Sequence, residues 1–141
     1  MIKVTCALIV QNGKILLTQR GKHPHHPYQW EFPGGKLKPG ETEQQCIQRE
    51  IEEELELQVE VREKLQPAVF DYGFKQIQLI PFLCFIRGGK LKLTEHIAYD
   101  WLDWGKVSAL DISEADRLVL ADESNWRLIK KHLGKKMNDS R

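Results

Sequence analysis

Hydrophobic and polar positions along the first 60 residues separate a pair of strands from one amphipathic helix. Residues 2–11 and 14–19 are two apolar runs joined by Asn12-Gly13. That dipeptide is the strongest short hairpin signal, because the favoured two-residue turn needs positive φ at both central positions. A polar loop follows over 20–29, and a short extended piece runs from Trp30 to Phe32 and ends at Pro33. Gly34-Gly35 and Pro39-Gly40 read as turns. Thr42 then suits the N-cap of a helix from about Glu43 to Leu55, with Cys46, Ile47 and Ile51 on its apolar side.

The second half adds strands and short helices. Residues 57–62 alternate cleanly, and 66–72 and 76–86 are apolar and aromatic. Gly88-Gly89 reads as a turn into a short strand over 90–94, with another strand at 98–102. Residues 107–110 suit a helical turn. Residues 113–121 and 124–133 read as helices capped by Ser113 and Ser124. Leu118 and Val119 would face inward from the first, and Trp126, Ile129 and Leu133 would form an apolar stripe on the second. The stretch after Gly134 is a polar tail. Strands and helices in this order predict an α/β fold, a mixed β-sheet flanked by helices, in one domain over residues 1–134 with a tail at 135–141.

The polar side of the 43–55 helix changes the picture. Glu50, Glu53 and Glu54 stand at i, i+3 and i+4, which puts three carboxylates on one face. Like charges at these spacings oppose a helix by roughly 0.2–0.5 kcal/mol per pair. Acids near a helix C-terminus also face the negative end of the macrodipole, at roughly 0.3–1 kcal/mol each when exposed. A solvated acidic face is the ordinary meaning of such a run. The chemical alternative is a bound cation, and a cluster of carboxylates without His or Cys suits a hard ion, Mg2+ or Mn2+.

Composition narrows the partners. With 41% hydrophobic and 29% charged residues, the chain reads as an ordinary globular protein. A net charge of +1 gives no general attraction to nucleic-acid polymers or to membranes. A phosphate-bearing substrate would therefore need local positive charge. Cys6, Cys46 and Cys84 lie in apolar segments and read as reduced core residues. No segment approaches a membrane span, and the first residues lack a signal-peptide pattern, so a cytoplasmic protein is expected.

Gly35, Glu41, Arg49, Glu50, Ile51, Glu53, Glu54 and Leu57 carry a resemblance to the Nudix hydrolase signature: Gly, five residues, Glu, seven residues, then Arg-Glu-aliphatic-x-Glu-Glu-x-Gly-aliphatic. Glu56 alone departs, standing where the family has glycine. That glycine follows a helix, where a left-handed residue is common, and a residue with a Cβ is disfavoured there by roughly 1–2 kcal/mol. The flanking Trp30-Glu31-Phe32-Pro33-Gly34-Gly35-Lys36 resembles the MutT-like branch.

The resemblance implies the Nudix α/β/α sandwich and metal-dependent attack of water on a nucleoside triphosphate, giving the monophosphate and pyrophosphate. Oxidised dGTP and a cytidine triphosphate are its candidate substrates. A non-catalytic nucleotide-binding Nudix module, or an ADP-ribose or dinucleoside polyphosphate hydrolase, are the alternatives. By the same resemblance the Gly34 carbonyl, Glu50, Glu53 and Glu54 would hold the metal. Glu53 would also activate water, Glu95 would act as a base or further ligand, and Arg49 would orient Glu50 or Glu41. Arg20 and Lys36 would meet phosphate or nucleotide. Phe32 and Leu79 would wall a base pocket, Tyr72 and Phe74 could stack on the base, and Asp116 would read its edge. His25 and His26 are adjacent histidines in a Pro-containing loop and read mainly as loop rather than metal ligands. The expected assembly is a monomer or homodimer, with no nucleic-acid polymer and no membrane as partner.

Overall fold

A computed structural model describes residues 1–22 and 26–133. The chain runs β1 (Ile2–Gln11), β2 (Lys14–Gln19), β3 (Trp30–Glu31), β4 (Gly34–Lys36), α1 (Glu43–Leu55), β5 (Leu57–Lys64), β6 (Ala68–Asp71), β7 (Gln76–Gly89), β8 (Ala98–Leu102), α2 (Trp104–Val107), α3 (Glu114–Ala121) and α4 (Glu123–Lys130). The sheet follows the order β3-β2-β1-β7-β5, with β4 on β1, β6 on β7 and β8 on β2. β1 and β7 pair in parallel, from Ile2 opposite Ile77 to Ile9 opposite Cys84, while the other pairs are antiparallel. This is the mixed sheet that the strand pattern predicts.

Alternation along β1 divides the core in two. Cys6, Leu8 and Val10 pack with Val119, Trp126 and Ile129 of α3 and α4. Ala7 and Ile9 pack with Ile47, Ile51 and Leu55 of α1. Successive residues of a strand point to opposite faces, so one apolar run serves both layers. Helices on both faces give the α/β/α sandwich. Among the described residues no helix is long and apolar enough to cross a membrane. The three cysteines are reduced and buried.

Pro81 lies within β7, where a missing N–H would break a ladder. Its carbonyl accepts from the Leu65 amide at 2.9 Å. A residue's N–H and C=O point to the same side of a strand, so the absent donor faces the gap where the chain passes from β5 to β6.

Several boundaries differ from expectation. Gly34-Gly35 is part of a strand, because β4 pairs with Val4–Cys6 of β1. β7 continues through Gly88-Gly89, and 90–94 is not a strand; its donors go to the end of α1. The helical turn expected at 107–110 is α2, three residues earlier. Asp122, not Ser124, caps α4, accepting the Asn125 amide at 3.0 Å while the Ser124 hydroxyl donates to Asp122. Leu118 is 43% exposed and does not face the core, whereas Val119, Trp126, Ile129 and Leu133 do. His25 and the tail at 135–141 lie outside the described residues.

The hairpin turn has φ of 54° at Asn12 and 76° at Gly13, as the primed turn requires. α1 begins with a reciprocal capping box, Thr42 accepting the Gln45 amide and Gln45 accepting the Thr42 amide. It ends at Glu56, whose φ of 57° and ψ of 33° are left-handed, with its N–H donating to the Glu52 carbonyl at 3.0 Å. The helix thus ends as the family's glycine would end it, and the side chain bears the strain. Replacing Glu56 by Gly should raise unfolding free energy by about 1 kcal/mol, since relief of the left-handed penalty exceeds glycine's added unfolded-state entropy. Thermal melting should then rise by a few degrees. An unchanged or lower midpoint would mean that Glu56 makes compensating contacts.

Candidate active site

The last turn of α1 holds Glu52, Glu53 and Glu54 and no basic residue. Its final carbonyls, which lack helical partners, are nevertheless all met. The Glu56 N–H donates to Glu52 O at 3.0 Å and the Thr94 hydroxyl to Glu53 O at 2.8 Å. The Thr94 amide donates to Glu54 O at 3.1 Å and the Lys92 amide to Leu55 O at 3.0 Å. Residues 92–94 therefore strap the helix end and carry Glu95 and His96 to its side.

Arg49 organises the upstream part of this helix. Its Nε and Nη2 donate to the two oxygens of Glu41 at 2.5 and 2.9 Å. Its Nη1 donates to Glu50 Oε1 at 2.8 Å and to Glu53 Oε2 at 3.0 Å. Hydrogen bonding to the Arg49 fork holds the Glu41 carboxyl down at about 2. So the bidentate partner is Glu41, while Glu50 and Glu53 share the remaining arm. Glu50 also lies flat against β4: a Cβ on Gly35 would stand 2.4 Å from the Glu50 carboxyl carbon. A Cβ on Gly34 would stand 2.0 Å from the Thr5 carbonyl. At Gly34 only glycine lets β4 sit this close to β1, while a side chain at Gly35 would displace the Glu50 carboxylate.

Glu54 is 5% exposed, and its Oε2 is buried without a hydrogen-bond partner. Burial first, and then the charges of Glu50, Glu95 and Glu31, push its carboxyl up to about 9 against a backbone hydrogen bond from Gly34. It lines a cleft of about 650 Å³ together with Gly34, Glu95, Arg20 and Lys36. A buried carboxylate oxygen that lacks a donor and feels three other carboxylates fits a hard cation. Among the described residues no three acidic or His/Cys groups are already converged on one point. Glu50 and Glu53 are held by Arg49 instead, and the Glu53 side chain is 52% exposed.

A narrower cavity of about 80 Å³ opens beside the cleft and shares Val4, Arg20, Glu31 and Gly34 with it. Phe32, Leu79, Tyr72 and Asp116 line it. Asp116 reaches it because the chain before α3 adds to β3: the Trp30 amide donates to Asp111 O and the Ser113 amide to Trp30 O, both at 2.9 Å. Asp116 is 3% exposed, and its Oδ2 accepts the Phe32 amide at 3.1 Å and the Ser113 hydroxyl at 2.8 Å. Burial, reinforced by the charge of Glu31, pushes its carboxyl up to about 7. Phe74 does not line the cavity; it is 60% exposed, at the hairpin tip. His26 lies against Tyr72, with ring centroids 5.3 Å apart.

Two residues given no role by sequence reasoning join the site. Glu31 Oε1 accepts Arg20 Nε at 2.6 Å, and its Oε2 meets His96 Nε2 at 2.9 Å. Burial pushes the Glu31 carboxyl up, but the hydrogen bonds from His96 and Arg20 outweigh it and hold it below the usual range. Both residues stood next to residues already under suspicion, Phe32 and Glu95, yet nothing in spacing pairs positions 31 and 96.

The chain belongs to the NUDIX domain family, whose model matches residues 1–122, and within it the chain is a MutT-like Nudix hydrolase. Nudix hydrolases generally need divalent metals. The CTP pyrophosphohydrolase of Escherichia coli (strain K12) is 33% identical over 116 residues, covering 82% of this chain and 86% of that protein. The 8-oxo-dGTP diphosphatase of the same organism is 27% identical over 111 residues, covering 79% and 86%. The solution structure of the E. coli ORF135 protein superposes with a TM-score of 0.80 at 30% identity, covering 92% of this chain and 91% of that one.

Glu54 sets a stability test. With its folded pKa raised above the unfolded value of roughly 4.3, the metal-free folded chain binds the extra proton. Stability from this group is therefore present at low pH and lost as pH rises towards about 9. In chelator, the melting temperature of the wild type should fall more steeply between pH 6 and 8.5 than that of Glu54→Gln. Added Mg2+ should restore the wild type and leave the variant nearly unmoved. Parallel profiles would mean that Glu54 ionises normally.

Proposed function

We propose that this Nudix hydrolase cleaves a nucleoside triphosphate, either oxidised dGTP or a cytidine triphosphate, to the nucleoside monophosphate and pyrophosphate. The observation that carries the reading is the junction of two cavities at Arg20, Glu31 and Gly34: one lined by carboxylates and cations, one lined by Phe32, Leu79 and Asp116. The first suits a phosphate chain, the second a base.

Gly34, Glu50, Glu53 and Glu54 are the proposed holders of Mg2+ or Mn2+. When bound, the metal neutralises phosphate oxygens and acidifies a water for in-line displacement. Glu53 would take the proton of the attacking water, and Glu95, in the strapped loop, would be a second base or ligand. Arg49 orients Glu50 and Glu53 through its Nη1. Arg20 and Lys36 bind phosphate oxygens at the cleft wall. Phe32 and Leu79 hold the base by apolar contact, and Tyr72 closes the pocket from the hairpin. Both donors near Asp116 go to Oδ2, so the ionised carboxylate has Oδ1 for an N–H of the base edge. Cytosine and oxidised guanine both present such donors. The enzyme would work in the cytoplasm on free nucleotides, as a monomer or homodimer, since a net charge of +1 gives no pull towards nucleic-acid polymers.

Pyrophosphate release from a panel of normal and oxidised nucleoside triphosphates with Mg2+ tests the activity. No turnover across the panel would end the enzymatic reading. Glu53→Gln should lower kcat roughly 100-fold or more with the fold intact. Turnover kept within a few-fold would remove Glu53 from the mechanism. Asp116→Ala should shift the preference between bases by roughly 10- to 100-fold in kcat/KM, and an unchanged ranking would remove it from the pocket. Because the Asp116 carboxyl sits at about 7 and its Oδ2 already accepts two donors, the proton of the neutral form would sit on Oδ1 and block it as an acceptor, so KM for the preferred substrate should fall as pH rises through 7. Asp116→Asn should flatten that fall, and a wild-type KM independent of pH would contradict the acceptor role.

A further inference from the structure

We infer that His96 is a positioning residue: through Glu31 it fixes the guanidinium of Arg20 at the junction of the two cavities. The inference rests on the proposed role of Arg20 as a phosphate-binding group. Three side chains from three segments form the chain of contacts, Arg20 Nε to Glu31 Oε1 at 2.6 Å and Glu31 Oε2 to His96 Nε2 at 2.9 Å. A carboxylate only accepts, so Nε2 of His96 carries the proton. Among the described residues Arg20 spends one of its five donors, Nε, on Glu31, and its Nη groups are directed by that contact. Arg20 lines both cavities, so the angle at which Glu31 holds it decides whether those donors meet a phosphate chain whose base lies in the narrow pocket.

The burial of His96 supports this over packing. Its Nδ1 is buried with no hydrogen-bond partner, an unfavourable arrangement that a leucine would avoid. What the imidazole offers that leucine cannot is the contact at Nε2. Its backbone is fixed on both sides, by Thr94 on the end of α1 and by the Ile97 amide on Gln19 O at 3.0 Å. With both neighbours anchored, His96 is a rigid mount for Glu31 rather than a mobile loop residue.

The experiment compares His96→Gln with His96→Asn. Both place an amide in the same buried site, but only glutamine carries its nitrogen as far as Nε2. For the preferred triphosphate, His96→Gln should keep KM within about threefold of wild type. His96→Asn should raise KM about tenfold or more with kcat within about threefold, because a contact present in ground and transition states alike shows in KM. In an Arg20→Lys background, His96→Asn should add little further. Equal effects of the two variants on KM, or a loss confined to kcat, would overturn the inference. A readout independent of turnover is the ¹⁵N–¹H signal of Arg20 Nε. It should be downfield and slowly exchanging in wild type and His96→Gln, and shifted to the solvent-exposed position in His96→Asn. An unshifted signal in His96→Asn would also overturn it. If the wild type hydrolyses no triphosphate, the proposed function fails, and the Arg20 signal still decides the positioning role.

Discussion

The site depends on keeping a helix end folded under the wrong charge. α1 points the negative end of its dipole at a turn that is itself acidic, with no lysine or arginine to offset it. A helix stabilised for its own sake would not look like this. The chain meets the difficulty with neutral donors at the last carbonyls and a single cation one turn upstream. Two amides and one hydroxyl from residues 92–94 satisfy the last carbonyls, while Arg49 draws Glu41, Glu50 and Glu53 onto one guanidinium. Neither device covers Glu54, whose Oε2 stays buried without a donor. The fold neutralises most of the acidic face and leaves one buried carboxylate on the cleft wall.

That arrangement reaches the sheet through two glycines. β4 lies so close to β1 and α1 that a methyl group on Gly34 or Gly35 would overlap the Thr5 carbonyl or the Glu50 carboxyl. The close approach brings the carboxylate helix, the Gly34 backbone and Arg20 of the β1–β2 hairpin to one cleft. The helix is held from its apolar side by Ile47, Ile51 and Leu55 packed on Ala7, Ile9 and Ile80. A solvent-facing helix could move its glutamates by several ångströms; one keyed into the sheet cannot.

Much of this was legible in the sequence, for physical reasons that differ by element. The β1–β2 hairpin was readable because Asn-Gly is local chemistry, and α1 because its cap, apolar spacing and acidic face all have a 3.6-residue period. The carboxylates stood out through the family signature, and the family model, matching residues 1–122, supports the family. Where reading failed, the cause was non-local. Gly34-Gly35 resembles a turn until β1 pairs with it. Residues 90–94 look like a strand because Leu91 and Leu93 are apolar, but they pack on the α1 side of the core while the backbone caps the helix. Leu118 showed only that an apolar residue on a short helix need not face in. Glu31 and His96 are 65 positions apart, and no periodicity links them.

Glu31 is also where the two ends of the site feel each other. Its charge contributes to raising both the Glu54 carboxyl in the cleft and the Asp116 carboxyl in the narrow pocket. Arg20 and His96 stabilise that charge by direct hydrogen bonds, which hold the Glu31 carboxyl below its usual range although burial pushes it up. The consequence is a division of labour imposed by electrostatics. A fixed negative centre, balanced locally by a guanidinium and an imidazole N–H, stands between a carboxylate suited to a cation and a carboxyl poised near neutrality. Any positive charge brought to the cleft must lower both neighbours at once, the nearer by more. A cation in the cleft therefore favours the ionised form of Asp116 in the narrow pocket. The two cavities are joined in charge as well as in space.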